Sequence, residues 1–347
     1  MSLVATILNE YQKPYQLNEL DKYNNLDAMK AFGFWGSFLT DTERTLRGLQ
    51  SNLDREGQPQ IKGVEIAVVG ANAGTVSSDH PDCNIVATQS TSAVVTPTYT
   101  PATYSFKVPS EAELNELNMV SYQNILNKEL NDAFGALAVE LDDRGRVAMD
   151  SARTQIFGAE LGMTFNNVDD LLEVPASIRD RFIGQVTASM VQSGLGRSYQ
   201  MVGNAGIQEN FNYVRNQGSS NDENLAYQFG LLGLDLRSTS QLADAAPLTD
   251  YGTGYASAYG SLAVLTALHR NSVNAVRLTD SDEWGIIANT PLGVPVGFHR
   301  QRNCTSGATG AEYYDSWTLT VYASYLTSWL NDPTTQQAPI TKFIFKK

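Results

Sequence analysis

The chain has 347 residues, 42% of them hydrophobic, and a formal net charge of −13. That length holds one elaborate domain or two, with enough apolar residues for a packed core, and the acidic balance argues against nucleic-acid binding by bulk attraction. Cys83 and Cys304 are its only cysteines, too few for a disulfide framework or a metal site; they are either free or joined by one long-range bridge. The opening residues lack a basic stretch and a cleavage site, so no signal peptide is expected. The apolar run 31–39 is far too short to cross a bilayer, and a cytoplasm-like compartment is expected.

Residues 1–60 read as an arm. Val4, Ile7, Leu8 and Tyr11 form a short helical face that Pro14 ends. Phe32, Phe34, Trp35 and Phe38 make an aromatic cluster. Thr40-Asp41-Thr42-Glu43 opens a further helix, with Leu46, Leu49 and Leu53 on one side. Such short amphipathic pieces need a host surface, their own chain's or another subunit's.

From 61 to 107 charge nearly vanishes and β-branched residues rise, which predicts strands over 63–69, 84–88, 92–96 and 99–107. Pro97 and Pro101 suit an edge strand or a projecting ribbon. The glycine-rich turn at 70–74 is followed by neither Lys-Ser/Thr nor an amphipathic helix, so it reads as a surface turn and not a phosphate cradle.

Residues 110–157 contain no proline. Leu126, Leu130, Phe134, Leu137, Leu141, Ala148 and Ala152 recur in helical register. From 119 to 157 one helix would be ~60 Å long; alternatively the segment splits into two helices at Asp142-Asp143-Arg144-Gly145. Beyond it the pattern predicts a strand at 163–168, a helix at 176–193, a strand at 198–206, a mixed region over 207–245 and a polar loop at 217–224. A helix is expected over 254–269, then strands at 284–289 and 294–299 around a Pro291-Leu292-Gly293 turn. The strongest strand candidate covers 316–330, and the polar tail turns apolar at 340–345.

Catalytic patterns are missing. His80, His269 and His299 are the only histidines, and none has metal-ligand spacing with another ligand. No Gly-x-Ser-x-Gly elbow occurs. His80 and Cys83 share a polar turn with nothing to orient the imidazole. Asp142-Asp143 on a helix reads as a solvated face, because adjacent residues there point about 100° apart. Asp169-Asp170 reads as an exposed turn. Asp222, Glu223 and Asn224 lack the alternation of an EF-hand loop. No catalytic residue, cofactor or metal is expected, and a structural role follows weakly from that.

The order of parts resembles the tailed-bacteriophage major capsid proteins of the Hong Kong 97-type fold, which encapsulin shells share. The resemblance rests on layout and on Leu141-Asp142-Asp143, Met149-Asp150-Ser151-Ala152-Arg153, the 194–204 stretch, the 217–224 loop and Tyr251-Gly252-Thr253-Gly254-Tyr255. It implies an α+β fold with an N-terminal arm over 1–60 and an extended β-ribbon, the E-loop, over 61–107. A spine helix with part of a peripheral domain would cover 108–175, an axial domain 176–300, and a closing strand and tail 301–347. It also implies pentamers and hexamers closing into an icosahedral shell around double-stranded DNA. A separate scaffolding protein and a portal would be partners, without membrane contact. Assembly would take place in the host bacterial cytoplasm and end in the virion. Phe34, Trp35, Phe38, Lys62, Val68, Tyr99, Tyr104 and Lys107 are then the expected inter-subunit contacts. Neither ribbon lysine is placed for a covalent cross-link. The competing readings are an encapsulin-like compartment, another ring-forming virion protein such as a tail tube, and an enzyme or sugar-binding module suggested by sixteen tyrosines and Asn/Gly loops.

Overall fold

The computed structural model describes residues 32–45, 66–69, 92–109, 122–153, 162–166, 168–192, 199–217, 234–242, 249–279, 281–307, 310–327 and 339–347. The arm before residue 32, residues 46–65 with Lys62, the glycine-rich turn, the His80/Cys83 pair and the 222–224 loop lie outside the described residues.

The segment with the clearest helical period becomes α2 (Tyr122–Ala152), since α1 (Gly33–Thr45) precedes it in the chain. α2 runs unbroken for 31 residues, about 46 Å of helix. Leu126, Leu130, Phe134, Leu137, Leu141 and Met149 form its buried stripe. Gly145 does not split it. A Cβ there would lie 3.1 Å from Cβ of Phe34, so the missing side chain lets α1 approach closely.

Among the described residues, β1 (Ile66–Val69) and β2 (Ser92–Val95) pair only with each other, antiparallel, with Ile66 opposite Val95. β3 (Thr100–Pro109) leaves that ribbon and enters the first large sheet as an edge strand, where its prolines are tolerated. That sheet has the order β10-β11-β12-β13-β3, with β10 at Arg277–Thr279, β11 at Asp282–Ile287, β12 at Val296–Gly307 and β13 at Gly310–Thr327. β13 is its 18-residue axis. On one side β3 pairs with it from Tyr314 to Ala323. On the other, β12 pairs up to Thr320, and β9 (Leu262–Ala267) takes over from Tyr322 to Thr327. α2 and α1 cover one face of this sheet. Phe34, Trp35 and Phe38 meet Leu137, Leu141, Trp317, Leu319 and Val321 in one core.

The second sheet is mixed, in the order β4-β5-β14-β8-β6-β7. β4 (Thr164–Asn166) and β5 (Leu171–Val174) follow α2. A 3-10 turn, Ala176–Arg181, leads into α3 (Phe182–Gln192). β6 (Tyr199–Gly203), α4 (Ala205–Gln217), β7 (Leu234–Ser238), β8 (Asp250–Ala258) and β14 (Ile340–Lys346) complete it. β14 lies parallel to β5 and antiparallel to β8. A second core joins Met163, Val186, Met190, Met201, Ile207 and Phe343.

Three expectations are corrected. The helix expected over 254–269 is instead two strands, β8 of the second sheet and β9 of the first, joined by a turn at Gly260 with φ +87. β8 is covered on both faces, Tyr255 toward the first core and Ala256 toward the second, so the polar alternation that marks a half-buried strand is missing. Part of the mixed region is α4, capped by Asn204, whose side-chain oxygen accepts the Ile207 N–H at 3.3 Å. Finally, the boundaries drawn at 176–300 and 301–347 cut across both sheets. β9–β12 pair toward β13, and the last strand, β14, crosses back into the second sheet. The short helix α5 (Arg270–Val273) lies between β9 and β10.

Candidate subunit interface

α1 is built into its own chain. It carries no acidic residue in its first turn, and α2 supplies the missing cap. The Asp142 carboxylate accepts the Trp35 backbone N–H at 2.9 Å and the Thr239 hydroxyl at 2.6 Å. An anion at a helix N-terminus satisfies N–H groups that have no partner within the helix. Burial pushes the Asp142 carboxyl up to about 6, against the hydrogen bonds from Thr239, Trp35 and Phe34 that pull it down. Asp142 is thus fully buried, which overturns the solvated face expected for it. Its neighbour Asp143 does sit at the surface, paired with Arg146 at 2.8 Å.

The other end of α1 holds the turn between β8 and β9 and the start of β9. Asp41 accepts the N–H groups of Gly260 at 2.7 Å and Leu262 at 2.9 Å. Thr42 accepts that of Val264 at 2.7 Å. Together they satisfy the Gly260 donor of the turn and two donors on the edge of β9 that β13 leaves open. The Trp35 indole N–H donates to the Leu292 carbonyl at 2.9 Å. Tyr325 meets Phe38 edge-on at 5.0 Å and donates its hydroxyl to the Leu141 carbonyl at 2.6 Å.

These ties correct three of the expected contacts. Phe34, Trp35 and Phe38 have no exposed surface in the single chain, so they fill its core and offer nothing to a neighbour. The host surface that α1 needs belongs to its own chain. The ribbon residues lie elsewhere. Val68 is in β1 opposite Ala93. Tyr99 is half-buried, and burial pushes its phenol up. Tyr104 is half-buried in β3, while Lys107 is exposed with its ammonium 4.6 Å from the centre of the Tyr314 ring. Cys304 is a free, exposed thiol on β12.

Sequence reasoning missed several polar joints, because each draws on elements far apart in the chain. Asp150 near the end of α2 receives the Tyr255 hydroxyl at 2.5 Å, Arg153 at 2.9 Å and Lys342 at 3.2 Å, joining α2 to the second sheet. Burial alone would raise its carboxyl, but Tyr255, Lys342 and Arg153 outweigh that and hold it below the usual carboxylate range. A cavity of about 560 Å³ opens beside this joint, lined in part by Arg146, Arg153, Tyr255 and Lys342. Near the start of α2, buried Asp315 binds Arg300 at 2.7 Å, Arg302 at 3.1 Å and the Tyr122 hydroxyl at 2.9 Å.

The face of the first sheet turned away from α2 is polar. Ser105 and Thr318 share a hydrogen bond of 3.0 Å, and Thr103 and Thr320 one of 3.3 Å. On α2 the half-exposed side chains Val139 and Val147 stand on the solvent side. Asp169 and Asp170 are exposed in a turn. Among the described residues no His, Cys, Asp or Glu cluster could hold a metal ion, and no helix is long and apolar enough to cross a membrane.

No protein-family model matches the sequence, and no curated protein matches it. Solved structures do. A chain of the cyanophage A-1(L) capsid asymmetric unit superposes with a TM-score of 0.51 at 11% identity, over 82% of this chain and 88% of that one. The chain has the fold of a phage capsid protein. The capsid of Ralstonia phage GP4 gives a TM-score of 0.47 at 10% identity, covering 82% and 84% of the two chains. A capsid fold of this α+β kind agrees with the layout of one long helix, a pairing ribbon and two sheets. At such identities the shared property is backbone architecture, carried by different side chains.

Proposed function

We propose that the chain is the major capsid subunit of a tailed phage, with a structural and not an enzymatic role. Pentamers and hexamers would close into an icosahedral shell around packaged double-stranded DNA. The observation that carries this reading is the fold shared with a capsid chain across most of both lengths. In Hong Kong 97 terms, α2 with the first sheet would form the peripheral domain, and the second sheet with α3 and α4 the axial domain. The β1–β2 ribbon would reach a neighbouring subunit, with Lys62, Val68, Tyr99, Tyr104 and Lys107 in or near that contact. A charge-poor ribbon can lie on a neighbour without the cost of stripping water from ions, and repeated extended contacts are how identical subunits close a shell. The net charge of −13 keeps the wall from adhering to the genome. A separate scaffolding protein and a portal would complete assembly in the host bacterial cytoplasm, and the mature location is the virion.

Negative-stain microscopy and light scattering of the purified full chain test this. Closed particles of uniform size are the expected result. A clean monomer at high concentration, even with a scaffolding partner co-expressed, overturns it. Particles enclosing an enzyme instead of DNA would point to an encapsulin-like compartment.

A further inference from the structure

The cavity beside Asp150 has the second sheet as its floor and the end of α2 as one wall. The floor follows from strand register. Thr253 and Tyr255 are two apart on β8, and their partners on β14 are Ile344 and Lys342, so all four side chains share one face of the sheet. All four line the cavity, while Ala256 and Phe343 on the other face enter the second core. Arg146 of α2 and Arg153, just past its end, are seven residues or about two helical turns apart and both border this floor. Burial and Asp150 push the Tyr255 phenol up, and Arg153 and Arg146 pull it the other way, so both guanidinium charges act on the same hydroxyl.

Two polar groups of this cavity are left over. Arg153 is fully engaged, donating to Asp150 and to the backbone carbonyls of Asp169 and Asp170. Arg146 donates from Nε to Asp143 at 2.8 Å, and among the described residues its two Nη groups have no hydrogen-bond partner. Thr253 is buried, and its hydroxyl has none either. The charges are layered. The side chains of Arg153, Lys342 and Arg146 are 13%, 20% and 30% exposed, against 44% for Asp143, and Asp169 and Asp170 are exposed on the rim. Asp150 is the acid set among the three cations. The interior is therefore net positive and the rim negative.

We propose that this cavity binds a single carboxylate group carried on a short apolar stem, with Arg146 as its anchor. The two Nη groups form a fork that matches both carboxylate oxygens, and the Thr253 hydroxyl is a further donor. Ile344, Leu171 and Leu242 supply apolar surface for the stem. The rim acids repel a dianion, so one negative charge fits better than two. The volume of about 560 Å³ lies within the roughly 300–1,000 Å³ of small-ligand sites. Such a group can arrive on a free carboxylic acid or as a glutamate side chain of a second copy, since the chain carries 37 acidic residues against 24 basic ones. The site does not rest on the shell reading, because every residue named belongs to one subunit.

Calorimetric titration of the purified full chain with butyrate tests it. Butyramide keeps the shape without the charge, and inorganic phosphate at pH ~8 carries a second charge. Butyrate should bind saturably, with the other two at least about tenfold weaker. Arg146→Gln should weaken butyrate about tenfold, and Arg146→Lys, which keeps the charge and loses the fork, about threefold. Arg144→Gln makes the same change in net charge outside the cavity lining and should leave binding unchanged. Absence of saturable butyrate binding, equal affinity for butyramide or phosphate, or an equal loss in Arg144→Gln overturns the site. Assembly separates the two sources. A carboxylate from a neighbouring copy makes saturating butyrate and Arg146→Gln each raise the chain concentration needed for particles; a free acid leaves that concentration unchanged. A chain that binds butyrate yet forms no particles keeps the site and loses only the shell reading.

Discussion

α1 and the β1–β2 ribbon look alike as sequence, and the structure treats them in opposite ways. Each is a short piece from the first hundred residues that cannot bury a face alone. α1 is clasped at both ends by carboxylates and hydroxyls, and its three aromatic rings are fully buried in its own chain. The ribbon strands have, among the described residues, only each other as partners. The difference lies in polar chemistry more than in apolar content. A helix carrying Asp41 and Thr42 can satisfy an open strand edge, and a partner carrying Asp142 can satisfy the helix start. The strands β1 and β2, Ile-Ala-Val-Val and Ser-Ala-Val-Val, carry almost no such groups, so among the described residues nothing of their own meets their outer backbone donors and acceptors.

The largest test of that contrast is removal of the α1 anchor. Trp35→Ala empties a fully buried site and leaves the Leu292 carbonyl without its donor. Chemical denaturation should show a loss of about 3–5 kcal/mol. Lys107→Ala at the ribbon base, where the side chain is exposed, should stay within about 0.5 kcal/mol in the unassembled chain. A small effect at Trp35 would return α1 to the class of pieces that need a neighbour.

A second test exploits the buried cap. The folded Asp142 carboxyl is raised to about 6 from an ordinary 3.8, so the folded chain binds this proton more tightly than the unfolded one. Its contribution is therefore most favourable below the unfolded value. It weakens as pH rises through about 6, at a slope opposite to that of Asp150 and Asp282, whose carboxyls are lowered. Asp142→Asn removes only the first of these slopes. Relative to wild type, the variant should gain on the order of 3 kcal/mol between pH ~4 and pH ~7.5. Urea melts at several pH values measure it, and parallel curves for the two proteins would exclude a strained carboxylate.

The same residue shows where reading the sequence succeeds and where it stops. The apolar stripe of α2 and the β-branched, aromatic run of β13 are local signals, and both elements stand where their periods put them. The β11–β12 hairpin follows from Pro291-Leu292-Gly293 between two apolar runs. Asp142, by contrast, looks like any charged residue on a helix, because the group that explains it lies 107 positions away at Trp35. The residues of β8 read as helical because burial on both faces erases alternation. α4 did carry a local signal in Asn204, an N-cap residue ahead of Ala205. Its apolar stripe is thin, so the helical period there is weak.

The smallest test returns to the α1–α2 contact through two glycines of one helix. Gly135 is exposed, and a Cβ built on it meets nothing within 4 Å. Gly145 faces α1, and a Cβ there meets Phe34 at 3.1 Å and Phe38 at 3.4 Å. Both positions forgo the same helix propensity, about 1 kcal/mol relative to alanine. Gly135→Ala should therefore stabilise the unassembled chain by about that amount. Gly145→Ala should lose the gain and go further, because Phe34 and Phe38 are fully buried and have little room to retreat. Opposite signs in the two thermal melts would show that α1 is packed against this chain's own α2. Equal gains would mean that α1 can leave that surface at little cost.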